Sequence, residues 1–181
     1  MDLEPINNGL ILVSGPVKSG KSRFAEKLVS NIKDVTYLAT HSNNSNDIDW
    51  IKRINDHKLR RPKHWNLVES SDFCTCIKTL LPNHTLLVDS LGGIVSSKIT
   101  IQNDEWFKVE QNIIRSTDLF TGKLVIVVEE AGWGVSPHTK LGNLFRDRLA
   151  ALTDKLDNLA VQSWLVVHGR AINLFANSIR I

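Results

Sequence analysis

Five short apolar runs, rich in β-branched residues, constrain the fold of this 181-residue chain more than any other feature of its sequence. Within each run the residues are almost all apolar, which is typical of parallel strands that are covered on both faces. The runs comprise residues 10–13, 35–39, 85–88, 124–128 and 164–167, with a weaker candidate at 65–68. Stretches with helical spacing lie between them, at residues 22–32, 48–54, 104–119 and 139–160. This alternation predicts an α/β fold with a mostly parallel central sheet.

Composition narrows the class of protein. With 42% hydrophobic and 23% charged residues the chain is globular in composition, which excludes disordered, collagen-like and repeat-array architectures. A net charge of +3 is small for a non-specific nucleic-acid binder, and no apolar run approaches the roughly 18 residues that span a bilayer. Cys74 and Cys76 are too close in sequence to form a disulfide that would stabilise the fold, which favours a reducing compartment. We therefore expect a cytoplasmic protein that binds neither nucleic acid nor membrane.

A complete phosphate-binding motif follows the first apolar run. Residues 15–22 read G-P-V-K-S-G-K-S and match G-x-x-x-x-G-K-[ST], between a predicted strand and a predicted helix. In such a loop the backbone amides and the helix N-terminus bind a polyphosphate, the lysine contacts the β- and γ-phosphates, and the serine hydroxyl binds Mg²⁺. The predicted nucleotide-binding residues of the loop are Gly15, Pro16, Val17, Lys18, Ser19, Gly20, Lys21 and Ser22.

The motif and the strand pattern together predict a three-layer fold of the P-loop NTPase type. We expect residues 10–181 to form a single nucleotide-binding catalytic domain. Residues 1–9 precede the first strand and are predicted to be a flexible N-terminal extension.

A second Mg²⁺ ligand is expected where another parallel strand ends, because the carboxyl ends of such strands lie at one edge of the sheet. Asp89 ends the run at 85–88 and is the natural partner of Ser22. Two alternatives remain open at this point. Asp89 could cap a helix or occupy a turn, and Glu129 or Glu130, at the end of the run at 124–128, could bind the metal instead.

His57 lies in a cationic segment, residues 52–62, whose predicted helix ends near Pro62. Cations at a helix C-terminus complement the helix dipole, and His57 could extend the apolar face of Ile51 and Ile54 as a packed imidazole. The alternative is nucleophilic catalysis, in which a neutral imidazole attacks a nucleotide α-phosphate while nearby cations stabilise the phosphoryl charge. Spacing alone favours the packed imidazole.

Several sequence blocks, taken in order, carry a resemblance to a known family. The blocks are S-G-K-S-R in the phosphate loop, Y-L-A-T at 37–40, R-I with H-K at 53–58, L-V-D at 87–89 and E-A-G-W-G-V at 130–135. From about residue 10 to about residue 169 the chain resembles the bifunctional adenosylcobinamide kinase/adenosylcobinamide-phosphate guanylyltransferases of cobalamin nucleotide-loop assembly.

The resemblance implies two reactions. One phosphorylates the aminopropanol hydroxyl of adenosylcobinamide with GTP or ATP, and the other transfers GMP from GTP to that phosphate through a GMP–histidine intermediate, giving adenosylcobinamide-GDP. It places His57 at the guanylylated position, and it implies a corrinoid substrate and a trimeric assembly. Lys21 is the second predicted catalytic residue, because the loop motif brings its ammonium to the β- and γ-phosphates, and the same motif predicts a Mg²⁺ cofactor bound by Ser22 and Asp89. The further nucleotide contacts that the resemblance implies are Thr40, His41, Ser42, Lys58, Leu59, Arg60, Arg61, Glu69 and Asp89.

Two other functions remain open at the level of sequence. The chain could be a P-loop small-molecule kinase without a covalent histidine step, or a nucleotide-binding module that has lost catalysis. Its departures from the family pattern affect neither the phosphate loop nor His57 in the sequence. They are Gly92-Gly93, Ser96-Ser97, residues 138–140 and Thr153-Asp154.

Overall fold

The computed structural model describes residues 8–41 and 61–181. His57 therefore lies outside the described residues, together with Ser42, Lys58, Leu59, Arg60 and the helix predicted over 48–54. Strands and helices alternate along the described chain. They are β1 (Gly9–Gly15), α1 (Lys21–Val29), β2 (Val35–Ala39), β3 (Asn66–Glu69), α2 (Phe73–Lys78), β4 (Thr85–Asp89), α3 (Leu91–Ser97), α4 (Asn103–Asp118), β5 (Lys123–Glu129), α5 (Lys140–Asp157), β6 (Ala160–Val167), β7 (Arg170–Asn173) and α6 (Leu174–Asn177).

All the strands of the described ranges form one sheet, in the order β3-β2-β4-β5-β1-β6-β7. Every neighbouring pair is parallel except β6 and β7, which are antiparallel. The order places β5 between β1 and β4, and β4 between β5 and β2. Because parallel strands end at the same edge, the residues that follow β1, β2, β4 and β5 lie side by side.

Two apolar layers cover the two faces of the sheet, because successive side chains of a strand point to opposite faces. In β1, Leu10 and Leu12 belong to one layer, and Ile11 and Val13 belong to the other. The first layer also contains the buried faces of α3, α4 and α5, and the second contains the buried face of α1. Helix–sheet–helix layering of this kind is the predicted three-layer architecture.

The five strong runs and the weaker run at 65–68 all form strands, as predicted. Two predicted helices are shorter than expected: α1 ends at Val29, and α5 ends at Asp157 because β6 already begins at Ala160. The elements α2, α3, β7 and α6 were not predicted from the sequence. Within the described ranges, no helix combines the length and the apolar character that crossing a bilayer requires.

Helix α3 was missed because Gly92 and Gly93 are poor helix formers. In the structure, neighbouring side chains lie too close to both positions to leave room for a Cβ atom. A Cβ at Gly92 would lie 2.5 Å from Oε2 of Glu129, and a Cβ at Gly93 would overlap the side chain of Thr40. The departure from the family pattern at these positions therefore lies against the sheet edge that carries the phosphate loop, which the sequence alone did not indicate.

Candidate active site

The phosphate loop curls between β1 and α1 in a path that two of its glycines make possible. Gly15 needs to be glycine because a Cβ there would overlap the carbonyl oxygen of Val166 on the neighbouring β6. Gly20, directly before α1, has φ +99°, a backbone conformation that side chains with a Cβ rarely adopt. The loop thus enters α1 tightly, so that the first amides of the helix face the concave side of the loop.

Two polar side chains of the loop are buried. Lys21 is only 4% exposed, and its Nζ donates to the carbonyl oxygen of Pro16 at 3.1 Å, across the loop. Ser19 is 5% exposed, and its Oγ has no hydrogen-bond partner within the described part of the chain. Buried polar groups are normally satisfied, so an ammonium and an unsatisfied hydroxyl in one loop indicate a site for a polyanion. Val17, in contrast, is 71% exposed.

Asp89 faces the start of α1. Its Oδ1 accepts a hydrogen bond from Ser22 Oγ at 3.3 Å, and its Oδ2 accepts one from Tyr37 OH at 2.5 Å. Burial, and then the negative charge of Asp89, raise the pKa of Tyr37 well above its usual value, so the phenol stays protonated and continues to donate. A hydroxyl and a carboxylate at this separation are oxygen ligands of the kind that Mg²⁺ prefers. The geometry thus fits the predicted metal pair.

Asp89 and Glu129 have different partners in the structure. Ser90, not Asp89, precedes helix α3, and the amide of Gly92 in the first turn of α3 donates to Glu129 Oε2 at 2.9 Å. Glu129 therefore lies at the N-terminus of α3, where a carboxylate is favourable, and Asp89 lies opposite Ser22.

Arg61 stacks on the aromatic ring that holds Asp89. Its guanidinium carbon lies 3.8 Å from the centroid of the Tyr37 ring, a cation–π distance. Since Tyr37 OH donates to Asp89, one predicted nucleotide contact (Arg61) is connected to another (Asp89) through this phenol.

Three side chains form a hydrogen-bonded group beside the phosphate loop; we call His41, Ser90 and Glu129 the edge triad. Ser90 Oγ donates to Glu129 Oε1, and His41 Nε2 lies 3.2 Å from Ser90 Oγ and 3.6 Å from Glu129 Oε1. Thr40 fixes the backbone of Ser90: Thr40 Oγ1 accepts from Ser90 N at 2.7 Å and donates to Ser90 O at 2.6 Å. These contacts join β2, β4 and β5 at one edge of the sheet.

Burial of Glu129 opposes ionisation, but the hydrogen bonds from His41 and Ser90 outweigh it, so the pKa of Glu129 lies below its usual value. The ionised Glu129 therefore stabilises the folded state. This stabilisation is complete above the pKa of a glutamate in the unfolded chain, about 4.3, and it is lost as the pH falls through the lower pKa of Glu129 in the folded state.

We therefore predict that Glu129→Gln is less stable than wild type at pH 7, and that the difference narrows as the pH falls below about 4.3. Urea unfolding at several pH values tests this; a difference that widens toward acid would contradict it.

A cavity of about 390 Å³ opens next to the edge triad. Its lining residues are Thr40, His41, Glu69, Ser70, Ser71, Gly93, Ser96 and Ser97. The structure thus brings Thr40, His41 and Glu69, all predicted as nucleotide contacts, around one polar cavity. Ser70, Ser71, Ser90 and Tyr37 were not predicted as site residues. Only their positions directly after strands, or within β2, could have drawn attention to them.

The fold and the phosphate loop together define a nucleotide-binding protein of the P-loop NTPase class, as the sequence predicted. Solved structures that share the fold include the following two. One is the structural study of PH0250 from Pyrococcus horikoshii OT3 (TM-score 0.54, 10% identity, 98% of this chain and 90% of that chain). The other is a prototypical ATPase from the type III secretion system of pathogenic bacteria (TM-score 0.54, 9% identity, 95% of this chain and 59% of that chain). At these identities the likeness shows the fold alone.

A family model described as cobinamide kinase / cobinamide phosphate guanyltransferase matches residues 11–174, and the chain belongs to this family. It is 30% identical to the bifunctional adenosylcobalamin biosynthesis protein CobU of Escherichia coli (strain K12), over 91% of this chain and 99% of that protein. It is 29% identical to the bifunctional adenosylcobalamin biosynthesis protein CobP of Pseudomonas aeruginosa, over 75% and 80%. The predicted family is thus confirmed, and with it the predicted enzyme class, a kinase and guanylyltransferase.

Proposed function

We propose that this chain phosphorylates the aminopropanol hydroxyl of adenosylcobinamide and then transfers GMP from GTP to the new phosphate, in the biosynthesis of cobalamin. The observation that carries the proposal is the arrangement of Lys21, Ser22 and Asp89 around one phosphate loop, in a chain of this family. Both reactions need a bound triphosphate, so one loop can serve both.

In this proposal the loop binds the triphosphate and lowers the barrier electrostatically. Lys21 is already desolvated, so its ammonium contacts phosphate oxygens without first losing a full hydration shell. Ser19 gains a partner for its buried hydroxyl. The amides at the start of α1 bind the same anion, and the helix dipole favours it. We expect GTP to be a substrate of both reactions and ATP to be an alternative donor for phosphorylation.

Ser22 and Asp89 would hold a Mg²⁺ ion at the edge of the loop. The oxygen donors fit such an ion, and Tyr37 fixes the orientation of the Asp89 carboxylate through its hydrogen bond at 2.5 Å. When bound, the ion neutralises charge that develops on the phosphate oxygens. Tyr37 would therefore act as a positioning residue for the metal ligand.

His57 would carry the guanylyl group. Its imidazole attacks the α-phosphorus of GTP, a P–N bond forms, and the P–O bond to pyrophosphate breaks; an oxygen of the corrinoid phosphate then displaces the histidine. The resemblance supports this role, and so does the position of Arg61, four residues after His57 in the sequence. Arg61 stacks on Tyr37 next to Asp89, and a cation there stabilises phosphoryl charge.

A two-stage assay tests the proposed function. Wild-type protein with Mg²⁺, GTP and adenosylcobinamide should form the corrinoid phosphate and then adenosylcobinamide-GDP with release of pyrophosphate. Supplying the corrinoid phosphate directly isolates the second reaction. Phosphorylation without guanylyl transfer would favour the small-molecule kinase, and turnover of neither substrate would favour the degenerate nucleotide-binding module.

We also propose that the chain assembles as a trimer in the cytoplasm. The apolar side chains of Ile172, Phe175 and Ile179, on and after the last strand and helix, are exposed in the single chain and give it a surface suited to self-association. Sedimentation equilibrium checks the assembly, since a particle with the 20.3 kDa mass of one chain would contradict it. The free thiols of Cys74 and Cys76 agree with a reducing location.

A further inference from the structure

The edge triad lies between the phosphate loop and the 390 Å³ cavity. Glu129 ends β5 in register with Gly15, the first residue of the loop, and the next amide, Glu130 N, donates to Gly15 O at 3.1 Å. Ser90 follows Asp89 at the end of β4, and His41 follows β2 and lines the cavity. The triad therefore runs from the phosphate loop across two strands to a polar cavity large enough for part of a substrate.

The hydrogen bonds of the triad define which imidazole nitrogen carries the proton. Ser90 Oγ uses its only hydrogen to donate to Glu129, so the Nε2 of His41, at 3.2 Å, must be the donor in its contact with Ser90 Oγ. Glu129 Oε1, at 3.6 Å, lies on the same side of the ring. In the neutral imidazole the Nδ1 atom then holds the lone pair, and a carboxylate on the Nε2 side stabilises the imidazolium that forms when Nδ1 is protonated.

We propose that His41 is the general base of the phosphorylation step, and that Ser90 and Glu129 are positioning residues that orient its imidazole. This inference rests on the proposed function. The corrinoid hydroxyl enters from the cavity and the triphosphate is bound by the loop, so that His41 lies on the side of the incoming hydroxyl.

The phosphorylation step forms one bond to phosphorus and breaks another. The hydroxyl oxygen of the corrinoid side chain forms a bond to the γ-phosphorus, and the bond between the γ-phosphorus and the β,γ-bridging oxygen breaks. The nucleoside diphosphate leaves, and the hydroxyl proton passes to Nδ1 of His41. The imidazolium returns this proton to water after the products depart.

The same chemistry predicts that His41 is dispensable for proton transfer in the second reaction. There the nucleophile is an oxygen of a phosphate monoester, whose second pKa is about 6, so near neutral pH it is mostly ionised and has no proton to give up. An alcohol, in contrast, must lose its proton during the attack. Loss of the general base should therefore slow phosphorylation much more than guanylyl transfer.

Three carboxylates of the described ranges lie on the strands next to His41. Glu129 on β5 is in direct contact, Glu69 at the end of β3 lines the same cavity, and Asp89 at the end of β4 directly precedes Ser90. Of these, Glu129 is the carboxylate closest to Nε2 in the described contacts, at 3.6 Å. Glu129 is therefore placed to hold the ring orientation that the proposed proton transfer needs.

The test compares the two reactions in His41→Gln, with His138→Gln as the matched control on an exposed loop. We expect the ratio of the phosphorylation kcat to the guanylyl-transfer kcat to fall about a hundredfold or more, the range in which a general base contributes. Added imidazole should partly restore phosphorylation in His41→Gly. Equal losses in both reactions, or no loss, would overturn the inference. An inactive wild type would instead overturn the proposed function.

Separating kcat from KM tests the positioning role of Glu129. In Glu129→Gln the His41 imidazole loses the group that orients it through Ser90, so the kcat of phosphorylation should fall while its KM for adenosylcobinamide and the kcat of guanylyl transfer change little. Glu105→Gln, on the exposed face of α4, is the control. Equal falls of both kcat values in Glu129→Gln would contradict the role, because a merely structural carboxylate would affect both reactions.

Discussion

Lys21→Ala is expected to lower the rates of both phosphorylation and guanylyl transfer by about 10²–10³-fold. The ammonium of Lys21 is 4% exposed and is held inside the loop by Pro16 O, so it meets the phosphates in a desolvated setting where one preorganised charge contributes about 3–4 kcal/mol. Measuring kcat/KM for each reaction with purified substrates tests this expectation.

Lys27→Ala is the matched control for this change. It removes the same side chain from the exposed face of the same helix, where a single charge contributes little. Retention of either reaction within about tenfold in Lys21→Ala would mean that the phosphate loop is not the shared nucleotide site.

His57→Asn is expected to abolish guanylyl transfer, with a loss of at least about 10³-fold, because the His57 imidazole is the nucleophile of the proposed covalent route. Phosphorylation passes through no histidine adduct, so its rate should fall far less. The two-stage assay with corrinoid phosphate supplied directly measures the first quantity, and with adenosylcobinamide the second. Equal losses in both reactions would indicate that His57 supports nucleotide binding or folding rather than the transfer itself.

The centre of the sheet could be predicted from the sequence because β1, β2, β4 and β5 are buried on both faces. Such strands appear as continuous apolar runs, and the six predicted runs all became strands. β7 was not predicted because its sequence, R-A-I-N, is short and mixes polar with apolar residues. Its position in the sheet depends on pairing with β6. Helix α3 was not predicted because it contains two glycines, which are poor helix formers. The reason for them, close contacts with Thr40 and Glu129, is visible only in the folded chain.

The phosphate loop could also be predicted, since its function depends on contiguous residues with a fixed spacing. The choice between Asp89 and Glu129 could not, because both end buried strands. Their hydrogen-bond partners distinguish them in the folded chain. Asp89 accepts from Ser22 and Tyr37, and Glu129 accepts from Ser90 and from an amide in the first turn of α3.

The edge triad could not be predicted because its members are far apart in sequence. They meet only because β4 lies between β2 and β5 in the sheet. His41 was predicted as a nucleotide contact through the family resemblance, but its contacts with Ser90 and Glu129 follow from strand order, which the apolar pattern does not encode.

The central claim is that a histidine of this chain becomes covalently bonded to a nucleotide, and labelling with α-labelled GTP tests it most directly. Incubated with Mg²⁺ and labelled GTP in the absence of corrinoid, wild-type protein should acquire label that is stable to alkali and labile to acid, as a phosphoramidate is. His57→Asn should acquire none, and corrinoid phosphate should discharge the wild-type label into product. Wild-type protein that binds GTP but never becomes labelled would contradict the account.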